Sequence, residues 1–108
     1  SRQESNGIEI GGKEGTLIRA SAKGKVVYAG SGLRGYGNLL ILKHDNQFLS
    51  AYAHNRRLLV KENDTIGAGM EIAEMGKKNS GRPRLHFEIR KNGKPVDPLN
   101  YLPARAGD

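Results

Sequence analysis

Hydrophobic positions along this chain alternate with polar ones over short runs, and no long stretch follows the 3.6-residue period of an amphipathic helix. Ile8 to Ile10 reads as a short strand, Gly11-Gly12 as a turn, Thr16 to Ala20 as a second strand, and Lys25 to Ala29 as a β-branched third. Gly30 to Gly37 holds four glycines and carries Arg34 and Tyr36, which makes it a loop long enough to line a groove. The apolar run Asn38 to Lys43 predicts a central strand buried on both faces. Asp45-Asn46 turns the chain, and Gln47 to His54 returns as its hairpin partner.

Period two puts Phe48, Ser50, Tyr52 and His54 on one face of that partner strand and Leu49, Ala51 and Ala53 on the other. It likewise sets Arg84, His86, Glu88 and Arg90 against Leu85, Phe87 and Ile89, a sheet with one polar face. Between them, residues 60–73 alternate turns with short β runs and resemble the sandwich hammerhead of lipoyl and biotinyl carrier domains. The lysine signature of those carriers is missing, so the likeness bears on fold alone. Asn92-Gly93 reads as a type I′ hairpin turn, Pro95 and Pro98 as ends of regular pairing, and Ala104 to Asp108 as a frayed tail.

Length and composition narrow this picture. The 108 residues fit one domain with one modest core, and 15 glycines with 6% aromatic residues suit a turn-rich, all-β architecture. There is no cysteine, hence no disulfide, thiolate metal site or cysteine nucleophile. No apolar stretch approaches 18 residues and the start is polar, so neither a membrane span nor a leader is expected within it. The net charge of +7 favours anionic partners. Its basic residues are scattered and accompany no nucleic-acid-binding motif, so no nucleic acid is expected.

Three segments carry candidate chemistry: Ser5-Asn6-Gly7-Ile8-Glu9, Tyr52-Ala53-His54 and Arg84-Leu85-His86-Phe87-Glu88. With Gly35-Tyr36-Gly37-Asn38 and the ending Asn92 to Pro98, they resemble the landmarks of the LytM or lysostaphin-type peptidase domain: H-x-G-x-D, Tyr-x-His and H-x-H-x-E. The resemblance spans about residues 5–102 and implies a duplicated hybrid motif, a barrel-sandwich-like β domain. It also implies that the zinc slots fall on Ser5, Glu9 and His86, and the catalytic histidine slots on His54 and Arg84.

Those substitutions are poor for zinc. Serine is a weak neutral ligand, glutamate reaches one methylene further than aspartate, and a guanidinium repels the cation. No cofactor and no catalytic residue are therefore expected. His44, after a buried strand, reads as structural, and Glu88 as a structural acid. Lys77-Lys78, Arg82 and Arg56-Arg57 read as loop charges, some of them bordering the groove.

An emptied site in a basic cleft is similar to the noncatalytic, NlpD-type members of the family. That likeness implies a periplasmic activator of N-acetylmuramoyl-L-alanine amidase at the division septum, with a lipid anchor and a LysM domain outside this chain. The expected partner groove comprises Ser5, Glu9, Arg34, Tyr36, His54, Arg84 and His86, with peptidoglycan as a possible further partner. Alternatives are a residual zinc metallopeptidase using Glu9 and His86, and a passive peptidoglycan-binding module.

Overall fold

The fold is given by a computed structural model that describes residues 7–101; Ser5 and the expected tail lie outside them. Nine strands follow in chain order: β1 (Ile8–Gly11), β2 (Leu17–Arg19), β3 (Gly24–Gly30), β4 (Asn38–Lys43), β5 (Phe48–Leu58), β6 (Thr65–Ile66), β7 (Glu71–Met75), β8 (Arg84–Lys91) and β9 (Lys94–Val96). A 3-10 turn, Pro98–Asn100, follows, capped by the Asp97 carboxylate on the Leu99 amide. The main sheet runs β1-β8-β5-β4-β3-β6, and every named pairing is antiparallel. This is the all-β architecture expected.

β5 organises the rest. Its first part pairs with β4 and β8, while Asn55 to Leu58 pairs with β7, which carries β2. The sheet thus turns back over its own apolar side. Ile18, Ile72 and Met75 from β2 and β7 join Leu40, Leu42, Tyr52, Leu85, Phe87 and Ile89 in one core. The other face of β4-β5-β8 holds only a small apolar cluster, Leu39, Ala51 and Ala53, flanked by Tyr28, Tyr36 and Ile41.

Two boundaries differ from the sequence reading. β5 continues four residues past His54, because β7 supplies a second partner for its backbone. Pro95 lies inside β9, opposite Arg90, where an outer strand tolerates a residue without an N–H. Within residues 60–73 the short β runs expected between turns are Thr65–Ile66 and the start of Glu71–Met75. Asn92 and Gly93 both have positive φ, 53° and 83°, as a type I′ turn requires.

Candidate functional site

The polar face of β8 meets β1 edge to edge, and the register places Glu9 directly opposite His86. Arg84, His86, Glu88 and Arg90 share that face by strand alternation. The result is a ladder of alternating charge. Arg84 Nε lies 3.2 Å from Glu9 Oε1, and Glu9 Oε2 lies 2.5 Å from His86 Nδ1. His86 Nε2 lies 2.8 Å from Glu88 Oε2, and Arg90 donates through Nε and Nη2 to Glu88 Oε1 at 3.1 and 3.0 Å.

Ionised carboxylates only accept, so contacts to both ring nitrogens favour the imidazolium form of His86. The Glu88 hydrogen bond is the main cause raising the His86 pKa; burial opposes it and Glu9 adds to it. Burial works against ionising Glu88, which is only 2% exposed, but the His86 and Arg90 hydrogen bonds outweigh it and hold the carboxyl below its usual range.

His54 reaches this face by a different route. Strict alternation would send it to the core side with Tyr52. Instead its φ is 65°, a left-handed conformation within β5 that re-aims the side chain and brings its ring centroid 6.2 Å from that of His86. Two amides close the irregularity. Asn55 Nδ2 donates to the Tyr52 and Asn38 carbonyls, and Asn38 Nδ2 donates to Asn55 O. The His54 amide donates to Tyr36 O, tying the glycine loop to the site, and the Tyr36 ring lies 6.3 Å from His86.

Gly76 fixes the other side. A Cβ there would lie 2.6 Å from both Arg56 N and His54 O, and its carbonyl accepts from the Arg84 amide. Only glycine lets these backbones approach so closely.

Burial is the main cause lowering the His54 pKa, with the nearby His86, Lys78 and Arg84 cations adding to it. Its imidazole has no hydrogen-bond partner among the described residues. Beside it opens a polar cavity of about 370 Å³ lined by Asn38, His54, Asn55, Lys77, Lys78 and Asn79. Sequence reasoning did not single out Asn55. An asparagine inside a strand is a poor β former, and that was the available signal.

The structure therefore brings together Glu9, Tyr36, His54, Arg84 and His86. Arg34 is exposed on the glycine loop, next to Leu33, and Ser5 lies outside the described residues. His44 stands apart, donating from Nδ1 to Lys23 O at 2.7 Å, with its Nε2 2.7 Å from Ser50 Oγ.

This donor set does not fit zinc. Among the described residues no three His, Cys, Asp or Glu side chains are grouped to hold a metal. Both ring nitrogens of His86 are engaged by carboxylates, and Glu9 is shared between Arg84 and His86.

Comparison with known proteins places this geometry. The model of peptidase family M23 matches residues 3–98. The Pseudomonas aeruginosa protein named Lipoprotein NlpD/LppB homolog is 59% identical over 99 residues, 92% of this chain and 33% of the relative. Murein hydrolase activator NlpD of Escherichia coli is 57% identical over 99 residues, 92% of this chain and 26% of the relative. The chain thus spans a third or less of these two relatives. Among solved structures, the catalytic domain of lysostaphin from Staphylococcus simulans superimposes with a TM-score of 0.82 at 30% identity, covering 89% of this chain and 77% of that one.

Proposed function

This chain belongs to peptidase family M23, and we propose that it works there without catalysis, as an activator of a cell-wall hydrolase. The observation that carries the reading is the charge ladder: three of the residues in the family's zinc and catalytic slots, Glu9, Arg84 and His86, pair with one another, and both His86 ring nitrogens are taken up by carboxylates. Relatives named as murein hydrolase activators support it.

The finer assignment is an N-acetylmuramoyl-L-alanine amidase whose segment docks in the groove of Ser5, Glu9, Arg34, Tyr36, His54, Arg84 and His86. Arg84 can turn part of its guanidinium from Glu9 to a partner carboxylate, a charge-assisted contact. Activation requires that the chain bind the open state of the amidase better than the closed one. We further assign the 108 residues to one domain, the C-terminal part of a longer envelope lipoprotein that acts in the periplasm at the septum. The lipoprotein names of relatives support the envelope.

Dye release from labelled peptidoglycan tests the reading. Amidase with this chain should exceed amidase alone, the chain alone should release nothing even with added zinc, and Arg84→Ala should lose most of the stimulation. About one tightly bound zinc per chain together with unaided wall hydrolysis would overturn it.

A further inference from the structure

The sheet face that bears the ladder extends well beyond it. Cross-strand register sets Lys43 of β4 between Lys25 of β3 and Leu49 of β5, with Arg90 of β8 opposite Leu49. One row nearer the ladder, Ile41, Ala51 and Glu88 stand opposite one another. Ala51 is short, and the space above it is a cavity of about 210 Å³, walled by Leu33, Tyr36, Leu39, Ile41 and Leu49. Leu33 stands at this cavity on the glycine loop, 45% exposed.

Two features of this place are not explained by folding alone. The cavity is lined mainly by apolar side chains, yet it opens on the same face as a strongly polar site. Beyond its lining, the row of Arg90 and Leu49 continues to Lys43 and Lys25, which stand directly opposite each other, an arrangement of like charges that weakens a sheet. Neither lysine makes an ion pair among the described residues, whereas Arg90 directs its guanidinium to Glu88. An apolar hole beside unmatched cations complements an apolar side chain carried on an acidic segment.

We propose that this pocket is an anchor site that takes one large apolar side chain from an acidic segment of the partner hydrolase, with carboxylates of that segment over Lys25 and Lys43. The proposal rests on the activator reading and adds the chemistry of the docking segment. The groove then has two recognition points on either side of Tyr36: the basic cavity at His54 and this anchor. Burial of the anchor supplies affinity insensitive to salt, and the lysines supply a part that salt screens.

The test measures binding of the 108-residue chain to a purified periplasmic N-acetylmuramoyl-L-alanine amidase, with dye release in parallel. Leu33→Asp changes an exposed position and should leave folding intact, as a thermal melt will verify. It should weaken binding about 30-fold, as loss of a central apolar anchor does. Ala51→Leu, which fills the hole without adding charge, should act in the same direction. Lys25→Glu with Lys43→Glu should weaken binding about fivefold at low salt and flatten its salt dependence.

Binding by all three variants within about twofold of the unaltered chain would overturn the anchor while leaving the activator reading intact. Variants that bind the amidase normally but no longer sediment with purified murein would assign the pocket to the wall polymer, which also overturns it. An unaltered chain that neither binds nor stimulates the amidase removes both readings together.

Discussion

The two faces of β4, β5 and β8 are built from alternate residues of the same strands, yet they solve different problems. On one side Leu40, Leu42, Tyr52, Leu85, Phe87 and Ile89 interlock with β2 and β7. On the other, Leu39, Ile41, Ala51 and Ala53 form a shallow apolar floor that ends in the Arg84-to-Arg90 ladder. Stability is concentrated on the first face; the second is the one on which the proposed docking groove lies.

Truncation should expose that division most strongly. Leu40→Ala removes a fully buried side chain and should cost about 2 to 5 kcal/mol, a large part of a typical domain's stability. Ile41→Ala, the next residue, loses only partly buried area and should cost about 1 kcal/mol. Urea unfolding midpoints of the two variants check this; equal losses would mean that the groove floor is part of the core.

Glu88 is the point where the faces meet, a buried acid on the side of the proposed groove. Glu88→Gln cannot serve both His86 and Arg90 as a charged acceptor. It should cost about 2 kcal/mol, less than a fully buried pair because His86 and Arg90 remain partly exposed. A loss below about 0.5 kcal/mol in the same unfolding assay would show that the ladder is only a solvated surface array.

These differences decide what could be read from the chain beforehand. Alternation along Arg84 to Arg90 named both faces of β8 correctly, since an unbroken strand keeps period two. The same rule failed at His54, because the change of face is made by one left-handed residue and stitched by Asn38 and Asn55. The lengthening of β5 and the pairing of Pro95 depend on partners distant in sequence. Glu9 and His86, 77 residues apart, carry no local sign that they face each other. Their place in a familiar motif pointed to the site; the register explains why they bind each other.

The smallest expected effect separates the two groove histidines, whose rings are neighbours but whose contributions to stability should respond oppositely to pH. The folded-state pKa of His86 is raised above its ordinary 6.5, so its contribution is fully present below that value and is lost as pH rises through the folded pKa. The folded-state pKa of His54 is lowered, so the folded chain holds fewer protons there and stability falls as pH drops below 6.5. The Glu88 contribution acts further down, present above 4.5 and lost as pH falls through its lower folded pKa. Unfolding from pH 5 to 9 should therefore lose part of its alkaline decline in His86→Gln and part of its acid decline in His54→Gln. Nuclear magnetic resonance titration of the two imidazoles assigns the steps directly. If both titrate together near 6.5, the carboxylates do not hold His86 as a cation, and a lone pair is again available for metal at the family's site.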